Sequence, residues 1–258
     1  MNNCLILDAK EVALASSENL IVRVKKLHDF GRAPKLVAIL VGDDPASTTY
    51  VNMKERACHT LGIKTEIKRL SKDTTTSELK ELIFDLNNDT KVDGILLQHP
   101  FPNHIDEIAC FNAIDLKKDV DGVTTQGFGN MSMGMGAFGS CTPLGIMRIL
   151  DYYKIDVNGM NALVIGRSQI LGKPMAAMLL NANATVTIAH SKTKNLTDSL
   201  KNYDLVVVAV GVPKFVSAEH LKTGSILIDA GYHPAEKCGD VDMPNISNIV
   251  SAYTPVPG

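Results

Sequence analysis

The stretch Val41-Gly42-Asp43-Asp44-Pro45-Ala46-Ser47-Thr48-Thr49-Tyr50-Val51-Asn52-Met53-Lys54-Glu55-Arg56 decides how the first half of the chain is read. Just before it, Leu36 to Val41 is an apolar run of the length of one buried strand. Asp44 stands where an N-cap would, and Pro45 takes the first helical position, where its missing N–H removes no bond. The pattern predicts a helix from Pro45 to about Thr60, stopped by Gly62. Tyr50 and Lys54 are four apart and share one face. A phenol and an amine therefore project from a helix that opens at a strand's carboxyl end, where open α/β sheets hold ligands. Taken alone, the pair also fits a solvated lysine beside a half-buried tyrosine.

The flanking segments give that stretch its setting. Asp8 to Phe30 carries Val12, Leu14, Leu20, Val22, Val24 and Leu27 at helical spacing and ends at Gly31. Lys64 to Leu70 alternates like a strand, Thr74 to Asn87 reads as a helix, and Val92 to Leu97 is a strand that ends before Gln98-His99-Pro100. Strand, helix, strand, helix, strand predicts a parallel sheet, and right-handed crossovers would bring the Tyr50/Lys54 helix start and Gln98 to one edge. Gly127 to Gly139 is rich in Gly and Met and reads as a flexible connection or lid. A helix follows from Pro143 to Tyr153, and this region is the expected domain junction, dividing residues 1–141 from 142–258.

The second half restarts the pattern. Asn161 to Gly166 is a strand ending in glycine, Arg167 to Lys173 a turn, and Pro174 opens a helix ending near Asn181. Ala184 to Ala189, Asp204 to Val210 and Ser225 to Asp229 read as strands, with Ile249 to Tyr253 as a last one. Repeated βα units with glycine at the strand ends describe a Rossmann-like domain. Its turn, Gly166-Arg167-Ser168-Gln169-Ile170-Leu171-Gly172-Lys173-Pro174, is not G-x-G-x-x-G but follows the same logic: glycine lets backbone approach phosphate, and a helix N-terminus offers N–H groups. A plain strand-to-helix turn would look much the same. After the next strand the chain reads Ala189-His190-Ser191-Lys192-Thr193, without the carboxylate that holds an NAD ribose. Ser191, Lys192 and Arg167 would attract a 2′-phosphate, which favours NADP.

With 258 residues, 45% hydrophobic content and a net charge of −2, the chain reads as an ordinary globular protein in one large or two medium domains. The charge balance offers no broad basic surface for nucleic acid, and no apolar run reaches membrane-spanning length. The first residues do not read as a signal peptide. The five cysteines (Cys4, Cys58, Cys110, Cys141 and Cys238) are scattered without metal-ligand spacing, which predicts no metal site and fits a reducing cytoplasm.

Several motifs, in order along nearly the whole chain, resemble the bifunctional methylenetetrahydrofolate dehydrogenase/methenyltetrahydrofolate cyclohydrolase family. They are Val41 to Ser47 with Tyr50 and Lys54, Asp93-Gly94-Ile95-Leu96-Leu97-Gln98-His99-Pro100, Lys118-Asp119-Val120-Asp121-Gly122, and Cys141-Thr142-Pro143. Gly166-Arg167-Ser168, His190-Ser191-Lys192-Thr193, Gly239-Asp240-Val241-Asp242 and Thr254-Pro255-Val256-Pro257-Gly258 continue the match. The resemblance implies an α/β fold of two domains: an N-terminal domain with a parallel sheet that binds folate and carries catalysis, a C-terminal Rossmann-like NADP-binding domain, and a cleft between them. It also implies a cytoplasmic homodimer that acts on tetrahydrofolate derivatives. NADP would oxidise 5,10-methylenetetrahydrofolate to the 5,10-methenyl cation, which is then hydrolysed to 10-formyltetrahydrofolate.

The resemblance assigns catalysis to Lys54, with Gln98 orienting it, Tyr50 lying against the folate ring and Asp121 accepting from the pterin. Pro255 and Pro257 would also touch substrate. The cofactor would lie on Gly166, Arg167, Ser168, Gly172, Pro174, Ser191, Gly211 and Tyr232. The chemistry agrees: hydride loss needs positioning, whereas hydrolysis needs proton traffic through an amine that is partly neutral. Burial beside a ligand and a helix start both favour the neutral amine. Intact Lys54, Gln98 and Asp121 argue against a dehydrogenase-only relative, and a catalytically silent NADP-binding protein is the other rival. His99, Phe101, Gly127, Ser140 and Tyr232 depart from the family pattern at the pocket rim and nicotinamide edge. The family motif also continues past Gly258 with more glycines and a final helix, whose loss would weaken folate binding.

Overall fold

The computed structural model describes residues 4–256, and within them the chain forms two compact units. One runs from Leu14 to Gly139; the other joins the residues up to Ala13 to those from Ser140 onward. The sequence reading had assigned the first residues to the N-terminal domain. They join the C-terminal unit because β1 (Leu5–Ile6) pairs in parallel with Ala252 and Tyr253, and Val12, early in helix α1 (Ala9–Asp29), packs into the same core. The phenol of Tyr153 also bonds Glu11 at 2.9 Å.

In the Leu14–Gly139 unit, β2 (Lys35–Val41), helix α2 (Pro45–Thr60), β3 (Lys64–Leu70), helix α3 (Thr76–Asn88) and β4 (Gly94–Leu97) form the expected alternation. The strands are all parallel, in the order β3-β2-β4, with Ile39 level with Leu97. On one face Val37, Ile39, Val41, Ile95 and Leu97 pack against Leu79, Ile83 and Leu86 of α3. On the other, Val51 of α2 packs on Ala38 and Leu96. Thr75 and Glu78 cap α3 reciprocally. Short helix α4 (Glu107–Phe111), which the sequence reading did not foresee, adds Phe111 to this core.

Half of the expected flexible stretch is helical: α5 runs Thr125–Ser132. The Thr124 hydroxyl accepts the Gly127 N–H at 2.9 Å, and Gly127 is buried. Tertiary packing and a cap outweigh the poor helix propensity of glycine here.

The C-terminal unit contains α6 (Cys141–Tyr152), β5 (Asn161–Ile165), α7 (Gly172–Asn181), β6 (Thr185–Ala189), α8 (Leu196–Ser199), β7 (Leu205–Val208), β8 (Ile226–Asp229), α9 (Ile246–Ile249) and β9 (Ala252–Tyr253). Its parallel sheet has the order β1-β9-β8-β7-β5-β6. Alternate residues of β5, β7 and β8 face α6 and α7 on one side, and Leu200, Leu221, Ile246 and Val250 on the other. The last strand is shorter than expected because Ile249 ends α9. Helix α7 begins two residues before Pro174, which still lies in the first turn, where an N–H has no helical partner to lose.

On β3, Glu66 accepts from Lys35 at 2.6 Å and Lys68 at 2.5 Å. Those lysine bonds hold its carboxyl at about 2, below the ordinary 4.5. The resulting stabilisation is complete above the ordinary value and is lost as pH falls towards the lowered one. Solvent reaches the carboxylate, so the gain is at most about 1 kcal/mol. Glu66→Gln should lower the urea midpoint slightly at neutral pH, and the difference from wild type should shrink steadily on acidification below the ordinary carboxylate value.

Candidate active site

Asp44 starts α2 by accepting the Ser47 N–H at 2.7 Å, and Pro45 fills the first position. One turn apart on this helix stand Tyr50, half exposed, and Lys54, partly buried. The Lys54 Nζ donates to Oε1 of Gln98 at 3.2 Å. Gln98 follows β4, and its backbone N–H reaches the Ile39 carbonyl of β2 at 2.9 Å. Its own amide nitrogen donates to the His99 carbonyl at 2.6 Å, which leaves the amide oxygen facing the amine. His99 is anchored in turn: Nδ1 lies 3.0 Å from Glu107 Oε2, and the ring meets Phe101 edge-on at 6.1 Å. Phe101 continues to Phe111 at 5.7 Å. His99 and Phe101 thus buttress the contact between the Gln98 amide and the His99 carbonyl.

Asp121 is half-buried in a loop whose architecture comes from its neighbours. Lys118 Nζ donates to the carbonyls of Leu86, Asn87 and Asp89, each at 2.8 Å, where α3 ends. A cation there satisfies carbonyls that the helix leaves open. Asp119 is buried and accepts the N–H groups of Val123 at 3.0 Å and Thr124 at 2.9 Å. A parallel bridge from Asp119 to Ile95 sets this segment beside β4, running towards the same carboxyl end as Gln98. An open hollow of about 1330 Å³ in the same unit lies at the other end of the sheet, around Arg32, Lys35, Arg56 and Lys64. It contains neither Lys54 nor Asp121.

In the C-terminal unit, β5 ends just before Gly166 and the turn leads into α7. Ser168 Oγ accepts the N–H groups of Leu171 and Gly172 at 3.2 Å each, capping α7. A Cβ on Gly166 would run into the Ala209 carbonyl oxygen, and one on Gly172 into the carbonyl of Gly166. The turn is therefore pressed against both the β7 exit and its own helix. Arg167 and Ser191 are exposed after the neighbouring strands β5 and β6. The His190 N–H donates to the Thr193 hydroxyl at 2.9 Å and its Nδ1 accepts the Lys192 N–H at 3.1 Å, a tight turn that leaves Ser191 exposed. Pro174 is buried in the first turn of α7, Gly211 is exposed after β7, and Tyr232 is half exposed after β8. Pro255 is half-buried after β9, and Pro257 lies outside the described residues.

Comparison with known proteins fits this arrangement. Residues 7–121 match the model for the tetrahydrofolate dehydrogenase/cyclohydrolase catalytic domain, and residues 140–258 match that family's NAD(P)-binding domain. The chain belongs to the tetrahydrofolate dehydrogenase/cyclohydrolase family. It is 54% identical over 256 residues to the bifunctional protein FolD of Psychrobacter arcticus, covering 98% of this chain and 87% of that one. The solved Campylobacter jejuni bifunctional enzyme FolD superposes with a TM-score of 0.97 at 41% identity, over 99% of this chain and 92% of its own. The Trypanosoma brucei FolD, solved with NADP and an inhibitor, gives 0.93 at 30% identity, over 100% and 92%.

For a member of the tetrahydrofolate dehydrogenase/cyclohydrolase family, the contact between Lys54 and Gln98 is the pairing that the sequence resemblance implied. The anchoring residues were missed. Lys118, Asp119 and Asp240 lie in the family-like segments 118–122 and 239–242, but nothing in their spacing shows which would be buried. Gly172→Ala should destabilise the C-terminal unit by about 1–3 kcal/mol, because the methyl meets backbone rather than a movable side chain. Urea unfolding followed by circular dichroism would show the lowered midpoint.

Proposed function

We propose that this protein is a bifunctional folate one-carbon enzyme. It oxidises 5,10-methylenetetrahydrofolate with NADP to the 5,10-methenyl cation and hydrolyses that cation to 10-formyltetrahydrofolate. The observation that carries the reading is the bond from Lys54 to Gln98, made across two strands of a chain that belongs to this family. The Leu14–Gly139 unit supplies the folate and catalytic side, and the C-terminal unit the NADP side. The protein works as a homodimer in the cytoplasm, in keeping with five cysteines scattered along the sequence without paired spacing.

In the first reaction the methylene carbon gives a hydride to NADP, and the positive charge left behind spreads over the two flanking nitrogens. No side chain needs to move a proton, so the protein's task is placement. NADP, when bound, supplies the hydride acceptor. Gly166 and the capped start of α7 would take its phosphates, with Ser168, Gly172 and Pro174 shaping the turn. Arg167 and Ser191 would take the 2′-phosphate, and Gly211 and Tyr232 would flank the nicotinamide.

In the second reaction water attacks the methenyl carbon. Lys54 accepts a proton from that water as the carbon–oxygen bond forms, then delivers it to the departing ring nitrogen as the carbon–nitrogen bond breaks. The remaining hydroxyl proton leaves to solvent as the formyl group appears, so one proton is released overall. Gln98 holds the amine by its amide oxygen, Tyr50 lies against the folate ring, and Asp121 accepts from the pterin's nitrogens. Pro255 and Pro257 would also contact substrate. No helix among the described residues is long and apolar enough to cross a membrane, and no cluster of His, Cys, Asp and Glu there could hold a metal ion.

Lys54→Met should reduce conversion of methenyl to formyl product by about 10²–10⁴ while leaving most of the NADP-dependent oxidation, since only hydrolysis transfers a proton through the side chain. Absorbance of the methenyl species reads both steps, and normal hydrolysis by the variant would remove Lys54 from the mechanism. Replacing Arg167 and Ser191 together by Ala should weaken NADP relative to NAD by about ten- to a hundredfold, the worth of charge-assisted phosphate contacts. Equal use of the two cofactors by the unaltered enzyme would contradict the phosphate assignment.

A further inference from the structure

We propose that Asp240 and His233 form a latch that positions the loops leaving β7 and β8 for hydride transfer, an inference that rests on NADP binding to this unit. Asp240 is fully buried. Its Oδ2 accepts the N–H groups of Val210 at 2.6 Å and Gly211 at 2.9 Å. Its Oδ1 lies 2.8 Å from Nε2 of His233, which is itself mostly buried. Val210 and Gly211 follow β7, His233 follows β8, and these strands are parallel neighbours. One carboxylate therefore ties together two adjacent loops at the sheet's carboxyl end, where such sheets hold nucleotides. The same loops carry Gly211 and Tyr232, assigned above to the nicotinamide side.

The anchor is itself fixed. The last residue of β8, Asp229, accepts the N–H of Asp240 at 3.1 Å, of Val241 at 3.0 Å and of Gly231 at 2.9 Å. A Cβ on Gly239 would strike the Asp229 carboxyl, and one on Gly231 would strike that of Asp240. The His233 N–H also donates to the Cys238 carbonyl at 2.8 Å, which closes the segment between them. Two buried carboxylates side by side are an expensive way to hold a core, and apolar packing would serve stability better. A buried carboxylate does what apolar packing cannot: it fixes the direction of individual N–H groups and of one imidazole. Hydride transfer is sensitive to placement on that scale, whereas hydrolysis of the methenyl cation uses no cofactor.

That second reaction gives the test an internal control. His233→Ala, His233→Gln and Asp240→Asn would be assayed for oxidation of methylenetetrahydrofolate with NADP varied, for hydrolysis of methenyltetrahydrofolate without NADP, and for NADP binding by calorimetry. His233→Ala should lower dehydrogenase kcat/KM for NADP by about tenfold, and His233→Gln should recover most of it, because its amide can still donate to Asp240. Asp240→Asn should lose about ten- to a hundredfold, since one amide oxygen cannot serve both backbone donors and the imidazole. Hydrolysis should stay within about twofold of wild type throughout. The latch is overturned if His233→Ala keeps its dehydrogenase constants, or if both activities fall together, which would mark a general support of the fold. Should Asp240→Asn not fold, the His233 pair decides alone. A wild-type protein that bound no NADP would overturn the cofactor reading, and the latch with it.

Discussion

Each of the two sheets grows in both directions from one strand, β2 in the first and β5 in the second, and the working geometry depends on that. In the Leu14–Gly139 unit, β3 adds on one side of β2 and β4 on the other. In the C-terminal unit, β6 adds on one side of β5 and β7 on the other. The loops leaving that strand and its later neighbour must therefore diverge, opening a crevice at the carboxyl ends. The Lys54–Gln98 bond spans this point in the first sheet, because α2 follows β2 and Gln98 follows β4. In the second, Gly166 follows β5 and meets the Ala209 carbonyl after β7. Register makes both contacts exact in kind. With Ile39 level with Leu97, a slip of one residue would turn Gln98 to the opposite face and break its contact with Lys54.

Diverging loops must be held, and buried or capping carboxylates do most of the holding. Asp44 fixes the start of α2, Asp119 the loop through Asp121, Asp229 the exit of β8, and Asp240 the exits of β7 and β8 together. Each accepts backbone N–H groups that would otherwise lack partners, at about 1.5–3 kcal/mol per charge-assisted bond. The arrangement has limits. Burial raises the pKa of Asp229, and the facing Asp240 adds to the shift, while the surrounding N–H donors oppose it. Such a site persists because removing one partner strands a buried charge, even where the pair contributes little net stability.

The sequence made the alternation of strands and helices legible, since apolar runs of strand length and helical spacing repeat through both halves. The Asp44-Pro45 start of α2 was readable because cap chemistry is local. What escaped depended on distant partners. Residues 1–13 belong to the C-terminal unit through pairing of β1 with β9, which no window near Leu5 could reveal. The stretch from Gly127 to Gly139 reads as a flexible connection or lid, yet burial of Gly127 and the Thr124 cap draw its first half into α5. Lys54 and Gln98 could be placed at one edge by topology, but the buttress through His99, Glu107 and Phe101 required the fold. The buried carboxylates were the hardest to read, because an aspartate in the loop after a strand looks the same whether it faces solvent or, like Asp240, sits buried beneath two loops.

The two reactions make different demands, and the two units are built accordingly. Oxidation leaves a delocalised cation and moves no proton through the protein, so rigidity suffices; the C-terminal unit supplies it with capped turns, crowded glycines and loops fixed by carboxylates. Hydrolysis begins from that cation and needs a proton acceptor that does not repel it. The acceptor is then a side chain whose charge can change, held by a neutral partner. On the proposed reading Gln98 suits that requirement, because its amide oxygen accepts from the Lys54 amine at 3.2 Å and carries no charge of its own. In the proposed mechanism, glutamine beside Lys54 therefore suits a proton-exchanging amine better than aspartate or glutamate would.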